Sequence, residues 1–526
     1  MRIACIGGGP GGLFLSALVR RELPDAEVVV FERNRAEDAF GFGVVFSNAT
    51  LGGIDAADPV LRDALLDHGR HWDEIEVRVH GTRLRCGGNG MASIVRSTLL
   101  RLLQERARVA GVDLRFETEV RDLAELEGFD LVVAADGANS RFREQASEVF
   151  APSVDVASAK FIWLGTTYPY DGLTFVHEAG PHGVFAAHAY PIGAGVSTFI
   201  VETDEATWRR AGLDAFDVDQ PPGPSDDATI AYLQALFADQ LDGHELIGNN
   251  SRWGNFRTLR TARWSHGNLV LLGDAAHTAH FSVGSGTKMA MEDAVVLARA
   301  LGEHRGDVPS ALERYEAVRR PAVEKVQGAS VPSLSWWEHF GRYHDALDAP
   351  QFVFHFLSRS IPRSKLQRRD PDFVAAVDRW WLGVHGTPPL STPLETGAGT
   401  LPVRVLQLIE DGRGHRLVVD GAEVELTPAA EAAEGAAGLV EVTGDREADG
   451  ATLEGLVRRQ PALLVLTGGS DLDRTLLSER ARMAHGVPTV LVGDHDDDAA
   501  TTLVLSGRAD AVARPATLAP GTGSVR

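Results

Sequence analysis

The 526-residue sequence predicts an α/β protein: a Rossmann-type βαβ domain with an inserted antiparallel sheet, then a small C-terminal α/β domain. Three observations predict it. A glycine turn, Gly7-Gly8-Gly9-Pro10-Gly11-Gly12, stands between a predicted strand at 3–6 and an apolar helix over 13–21. From Lys160 to Thr203 the texture changes to four short apolar runs separated by Gly/Pro turns, as an antiparallel sheet requires. Beyond a Pro/Gly-rich stretch at 386–399, strand and helix patterns resume and alternate as far as Ala513.

The first unit is the most specific. Gly7, Gly9 and Gly12 fill the positions of G-x-G-x-x-G, which give a tight turn, close approach to a pyrophosphate and close helix–strand packing. The helix that follows offers free N–H groups and its positive end to phosphates. A second strand at 27–31 leads to Glu32, 20 residues after Gly12, where a carboxylate accepts hydrogen bonds from the adenosine ribose. A purely structural turn would not place the acid in register. This unit reads as an adenine-dinucleotide site.

Next comes a predicted loop over 38–50 with the apolar words Gly41-Phe42-Gly43-Val44-Val45-Phe46-Ser47. Its glycines let backbone lie flat against a ligand ring, or simply form a buried turn. A hairpin is predicted at 74–79 and 82–85, and one amphipathic helix over 91–110. Arg96, near that helix's start, is solvated or reaches a pyrophosphate. A strand over 129–135 ends in Asp136-Gly137-Ala138-Asn139-Ser140-Arg141-Phe142-Arg143, of the form D-G-x-x-S-x-x-R, which a generic strand-to-helix turn also allows. The inserted sheet, about 155–265, carries His177, His188 and Tyr190. A strand at 268–272 then runs into Gly273-Asp274, which sets a carboxylate at a ligand's hydroxyls, ahead of a helix from Gly286. Helices follow at 309–331, at Trp336-Trp337 and over 351–381, the last with Arg359, Arg363, Lys365, Arg368 and Arg369 as a solvated face or a phosphate contact. The expected domains are 1–380, a linker at 381–400, and 401–526.

A net charge of −22 argues against nonspecific nucleic-acid binding and against an anionic membrane surface. The only cysteines, Cys5 and Cys86, suggest neither a disulfide framework nor a metal site, so a reducing cytoplasm is expected. No apolar run reaches spanning length. The expectation is a cytoplasmic protein with no nucleic-acid, membrane or metal partner, and with homodimerisation open.

Taken together, the glycine turn, Asp136–Arg143 and Gly273-Asp274 resemble the single-component (group A) FAD-dependent aromatic hydroxylases, whose fold is that of para-hydroxybenzoate hydroxylase, over roughly residues 1–380. The resemblance implies an FAD site made by Gly7, Gly9, Pro10, Gly11 and Gly12, with Glu32 and Arg33 at the adenosine ribose and Arg96 at the pyrophosphate. It places Phe42, Gly43, Val44 and Val120 among the FAD contacts. Asp136 and Gly137 would serve FAD and NADH or NADPH together, and Gly273 and Asp274 the ribityl chain. Gly284, Ser285, Gly286 and Thr287 would face the negative charge of reduced flavin.

A narrower likeness lies in the words at 41–47, at 273–288 and at Trp163-Leu164-Gly165-Thr166. They resemble the salicylyl-CoA 5-hydroxylases and 2-aminobenzoyl-CoA monooxygenase/reductases; a violacein-pathway indole hydroxylase shares some of them. His280 and Phe281 stand where the wider superfamily has prolines, and Ser285 and Lys288 where it has Gln and Asn. The implied reaction uses NAD(P)H and O2, through an FAD C4a-hydroperoxide, to hydroxylate an aryl ring, foremost a salicylyl thioester such as salicylyl-CoA at its 5-position. A 2-aminobenzoyl-CoA, a carrier-bound aryl group or an indole are alternatives, as are an oxidase and a non-catalytic FAD-binding protein. His280 is the candidate base for the phenolic proton, or a histidine packed under the flavin loop. His188 and Tyr190 come second, with Phe46 and Phe281 as apolar walls that exclude water, or as core. The aminobenzoyl-CoA enzymes also carry a C-terminal flavin barrel of the old-yellow-enzyme kind, and this chain resembles only its beginning and end. Roughly 120 residues fall short of the ~250 of an eight-stranded barrel. A degenerate remnant without a second flavin is expected, serving packing, dimerisation or partner docking.

Overall fold

The computed structural model describes residues 1–39, 41–193, 195–217, 223–280, 286–419 and 422–516. It divides into two compact units, Met1–Arg78 with Gly88–His339, and Val79–Gly87 with Phe340–Arg526. The division falls inside the long helix Val308–Ala346, ahead of the 381–400 stretch that the sequence suggests as a linker. Residues in that stretch carry a 3-10 turn, Pro389–Ser391, and a hairpin of Leu394–Thr396 with Gly399–Leu401.

In the first unit, strand Arg2–Ile6 lies between two parallel neighbours, Glu27–Phe31 and Leu131–Ala134. Asp113–Arg115 extends this sheet on one side and Leu269–Leu271, then Ser265–His266, on the other. Its strands read as unbroken apolar runs because both faces are covered. Helix Pro10–Glu22 covers one face with Leu13, Phe14, Leu15 and Leu18. At Gly11 a Cβ would lie 2.8 Å from Leu272 and 3.1 Å from Ala290, so helix Gly286–Glu303 packs directly against it.

The second sheet of this unit runs in the order Leu246–Ile247, Ser153–Thr166, Val196–Thr203, Gly183–Gly193, Leu173–Gly180, Ile75–Val79, with Gly254–Arg260 also paired to Ser153–Thr166. Its register sorts the side chains. One face buries Ile162, Leu164, Val176, Phe185, Phe199 and Val201 against Leu233, Phe237 and Trp253. The other presents three cross-strand rows: Phe161–Glu202–Ala186–His177, then Trp163–Ile200–His188–Phe175, then Gly165–Thr198–Tyr190.

Residues 91–110 do not form the single helix expected. Met91–Val95 is a strand, and the helix spans Arg96–Val109. Ala92 and Ile94 are buried through antiparallel pairing with Gly43–Ser47 and Arg70–Trp72, and this pairing overrides the helical periodicity. The predicted loop at 38–50 is thereby partly a strand, and Arg96 becomes the first residue of a helix.

The C-terminal remnant expected from the sequence is instead a closed barrel of seven strands: Val405–Asp411, Gly414–Val419, Ala422–Pro428, Ala437–Val442, Leu463–Gly468, Thr489–Val492 and Ala511–Pro515. Two antiparallel hairpin pairings at its start replace longer strand–helix units, and the first strand pairs in parallel with the last. A helix over Arg446–Val457 escaped the sequence reading. Strand alternation fills the interior with Leu406, Leu417, Leu463, Val465, Val490 and Ala513. Leu464, Leu466 and Leu491 point outward to Leu453, Leu477 and Ala481 of the covering helices. Among the described residues no helix is long and apolar enough to cross a membrane.

Candidate active site

The glycine turn is dictated by space. Gly7 adopts φ +111°, and a Cβ there would sit 2.2 Å from the Ala135 carbonyl oxygen; at Gly12 it would sit 2.2 Å from the Gly7 oxygen. Gly9 is different, with no atom within 4 Å of its Cβ position. It begins helix Pro10–Glu22 without a side-chain cap, whereas Asp204, Asp226 and Ser470 cap their helices. Helix Arg96–Val109 likewise starts uncapped at Val95. Such helix ends leave N–H groups for an anion. Glu32 is held at the turn: Oε2 accepts from the Gly8 amide at 2.7 Å, and Oε1 from the backbone and side-chain nitrogens of Asn34 at 2.8 Å each. Pro10 and Gly11 lie in the first helical turn, Arg33 is exposed, and Val44 and Val120 are buried. Phe42 packs against Gly165 of the second sheet, and Gly43 against Ile192.

Two motifs distant in sequence are tied by one arginine. Arg143, 4% exposed, donates to the Ala138 carbonyl at 2.8 Å and to the Ala275 carbonyl at 3.1 Å. It thus joins the Asp136 turn to the Gly273-Asp274 turn. Asp136 accepts from the Arg141 amide through Oδ2 at 2.9 Å, while its buried Oδ1 has no hydrogen-bond partner. Burial pushes its carboxyl up against the opposing pull of Ser140 and Arg141. Burial also raises Asp274, against the attraction of His277 and Arg96, and lowers Arg96, against the attraction of Asp274 and Tyr190. Arg96 thus feels the charge of both Asp274 and Tyr190, which are scattered in sequence. Gly286 joins them, since its Cβ position is 3.9 Å from Asp274 Oδ1. Gly286 and Thr287 open their helix; Gly284, Ser285 and Phe281 lie outside the described residues.

Beneath this turn is a buried ion cluster that sequence reasoning missed. Asp293 accepts through Oδ2 from the Gly273 amide at 3.1 Å and pairs there with His277 Nε2 at 2.8 Å; Oδ1 accepts from Arg319 Nε at 2.7 Å. Burial alone would raise its carboxyl, but His277 and Arg319 hold it below the usual range. The available signal was an aspartate in the apolar run Met289–Ala298.

The polar-bearing face of the second sheet closes the site. Tyr190 donates to the Gly43 carbonyl at 3.3 Å, stacks on Trp72 at 6.3 Å, and is pushed up to about 12 chiefly by burial. His188 Nδ1 lies 3.3 Å from Glu202 Oε1, and both residues are buried. His280 is buried with its ring 4.0 Å from that of Phe256, which stacks on Phe161 at 4.4 Å. Phe46 is 2% exposed and belongs to the hydrophobic core cluster of the first unit, in line with the core alternative of the sequence reading. Among the C-terminal basic residues, Arg363 pairs with Asp378 and Arg359 covers the Phe356 ring.

A dinucleotide turn, an inserted sheet facing it and two motifs locked by Arg143 define a flavin-binding fold; the open space at Gly9 and the unpartnered Asp136 oxygen fit FAD. Residues 129–330 match the family described as an FAD binding domain. The chain is 59% identical to a salicyloyl-CoA 5-hydroxylase of Streptomyces sp, across 97% of this chain and 99% of the relative. It is 37% identical to a 3-hydroxy-4-methyl-anthranilyl-[aryl-carrier protein] 5-monooxygenase of Streptosporangium sibiricum, across 64% of this chain and 89% of the relative. The solved tetrameric form of 2-methyl-3-hydroxypyridine-5-carboxylic acid oxygenase superposes with TM-score 0.51 at 21% identity, over 64% of this chain and 92% of that one, a likeness of fold. The chain belongs to the FAD-dependent aromatic-ring monooxygenases.

Proposed function

We propose that this enzyme hydroxylates the ring of a salicyloyl thioester, salicyloyl-CoA, at the 5-position, with NADH or NADPH and O2. The observation that carries the reading is the 59% identity to a salicyloyl-CoA 5-hydroxylase over nearly the whole of both chains, C-terminal unit included. A carrier-bound aryl substrate is the second reading, favoured by the aryl-carrier relative, whose match covers only 64% of this chain. We place the enzyme in the cytoplasm, where its two buried thiols, Cys5 and Cys86, stay reduced.

Bound FAD supplies the redox chemistry that delivers an oxygen atom of O2 to the ring. The chain supplies the rest. The glycine turn, the uncapped helix ends at Gly9 and Val95, and Arg96 would hold the pyrophosphate, and Glu32 would take the adenosine ribose. Asp274 would take flavin-chain hydroxyls, its turn fixed by Asp293 through the Gly273 amide. The opening of helix Gly286–Glu303 would offer its positive end to negative charge on bound flavin. Phe161, Trp163 and Phe175, on the Tyr190 face of the second sheet, would form an apolar wall that excludes water.

The test is anaerobic flavin reduction by NADH and NADPH with salicylate, salicyloyl-CoA, 2-aminobenzoyl-CoA and a carrier-bound salicyl thioester, followed by O2 and product analysis. Salicyloyl-CoA should accelerate reduction at least roughly tenfold over free salicylate and give one hydroxylated product. Equal rates with and without every aryl ligand, with H2O2 as the sole product, would sink the proposal.

A further inference from the structure

Asp293, His277 and Arg319 are 0%, 2% and 6% exposed. Apolar side chains of similar volume often stabilise a core as well as a buried ion cluster does, so stability alone does not account for this one. What the cluster joins is specific. Through Oδ2 Asp293 accepts from the Gly273 amide at 3.1 Å and from His277 Nε2 at 2.8 Å, and through Oδ1 from Arg319 Nε at 2.7 Å. Arg319, on helix Val308–Ala346, also sets Nη2 3.1 Å from Glu292 Oε2. One turn earlier on that helix, Tyr315 donates to the Leu271 carbonyl at 3.2 Å, at the end of the strand that leads into the turn. Trp264 packs against both, its ring 4.9 Å from His277 and 5.5 Å from Tyr315. Strand, turn and two helices are thus tied together.

The two groups expected to meet the flavin chain and its charge sit on those same elements. Gly273 takes φ +62°, and a Cβ there would lie 2.8 Å from Ala290 Cβ, so the turn rests on helix Gly286–Glu303 one helical turn before Asp293. Asp274 follows directly, and its Oδ1 is 3.9 Å from the Cβ position of Gly286, the first residue of that helix. Gly286 and Asp293 are two turns apart on one helix. A displacement at Asp293 therefore shifts the Asp274 carboxylate and the helix's positive end against each other, and both against a bound flavin. Electrostatics link them as well. Beyond burial, which raises both carboxyls, His277 lowers Asp274 and Asp293 alike, and Asp293 raises Asp274.

We infer that Asp293, held by Arg319 and His277, is a positioning residue for the flavin: it sets Asp274 and the start of helix Gly286–Glu303 in the register that seats FAD and favours its reduced form. This rests on the seating of FAD proposed above and is independent of which aryl substrate is taken. Asp293 acts through the Gly273 amide and through its own helix, not by contact with the cofactor. Arg319 and His277 keep its two oxygens aimed, one from the neighbouring helix and one from the end of the turn.

The test is titration of the full-length apoprotein with FAD, read by flavin fluorescence, followed by dye equilibration for the two-electron potential of the bound flavin. It compares wild type, Asp293→Asn, Arg319→Gln, Arg319→Lys, Asp274→Asn and Glu479→Gln. Glu479→Gln is the control for lost stability, because it removes a buried carboxylate of the other unit. Asp293→Asn and Arg319→Gln should each weaken FAD binding at least about tenfold. Both should also lower the potential by about 30 mV, a further tenfold loss of reduced over oxidised flavin. Arg319→Lys, which keeps the positive charge, should recover most of both effects, and Glu479→Gln should change neither. Should Asp293→Asn fail to fold, the two Arg319 variants carry the test. Wild-type affinity and potential in Asp293→Asn and Arg319→Gln, with binding weakened in Asp274→Asn, would overturn this inference alone. So would losses in Glu479→Gln as large as theirs. Wild-type affinity in Asp274→Asn would overturn the seating of FAD and this inference with it.

Discussion

The glycine-turn end of the first unit and the strand-to-helix turns of the barrel treat their polar groups in opposite ways. In the first, helix starts at Gly9 and Val95 are left uncapped, an Asp136 oxygen is buried without a partner, and burial pushes both Asp136 and Asp274 upward. In the barrel unit the helices after three successive strands are closed by their own side chains, Asp445, Ser470 and Asp496. Its interior is filled with leucine, valine and alanine. Its buried carboxylate, Glu479, is surrounded by Tyr343, His355 at 3.0 Å and Arg508 at 3.5 Å, which hold it below the usual range although burial alone would raise it. Groups held in reserve mark a site that waits for a ligand; groups already satisfied mark scaffold. The barrel should therefore add stability and no second flavin, and purified enzyme should hold one FAD per chain.

The sharpest way to break this comparison is Gly7→Ala. The new Cβ meets a backbone oxygen at 2.2 Å with φ at +111°, a position no L residue can take without moving the turn. FAD affinity should fall at least about a hundredfold, on the order of 3 kcal/mol, read by flavin absorbance per protein after gel filtration. Full flavin content would show that the turn does not carry the cofactor.

Next in size come two buried carboxylates, one taken from each unit. Asp293→Asn strips the charge facing His277 and Arg319, and Glu479→Gln the charge facing Arg508; each should cost about 3–5 kcal/mol. Their pH behaviour separates the units. Both carboxylates are depressed in the folded state, so their stabilisation is complete above the ordinary carboxylate range and drains as pH falls through the lowered values. His355 adds an earlier loss in the barrel unit. Burial, with Arg508 nearby, lowers it from 6.5 to about 4, against the pull of Glu479, so the unfolded chain binds the proton first and stability declines as pH falls from 6.5 toward 4. Acid titration should thus loosen the barrel unit before the flavin is released. Flavin fluorescence rising ahead of loss of barrel circular dichroism would reverse that order.

Leu463→Ala probes the scaffold side directly. Leu463 is fully buried inside the barrel, and its truncation should cost about 2–5 kcal/mol while flavin content and aryl-stimulated flavin reduction per folded chain stay unchanged. A lost or weakened flavin would mean the barrel takes part in the site.

What the sequence made legible follows the same divide. The nucleotide unit was legible because its chemistry is local: three glycines, an acid, one Asp-Gly word and one Gly-Asp word act within a turn of where they stand. The Asp293–His277–Arg319 cluster and the His188–Glu202 pair were not, because each depends on which strand or helix lies beside which, and that register is set by packing. Met91–Val95 was misread for the same reason, its partner strand Gly43–Ser47 supplying what periodicity could not. The barrel was hidden because closure joins its first and last strands, Val405–Asp411 and Ala511–Pro515, across the whole domain.

The smallest effect is the most discriminating. Asp136 is raised by burial, so in the folded state its charge is a liability, and folding gains as pH falls through its elevated value, opposite in sign to Asp293 and Glu479. Asp136→Asn keeps an oxygen to accept from the Arg141 amide and removes that charge. The apoprotein's Tm at neutral pH should rise by about 1–3 °C, while FAD and NAD(P)H bind more weakly. A carboxylate serving only as scaffold would do the reverse, lowering Tm and leaving cofactor affinity alone. The sign of the Tm change, set beside the sign of the affinity change, decides whether Asp136 belongs with the ligand-waiting groups of the first unit or with the self-satisfied groups of the barrel.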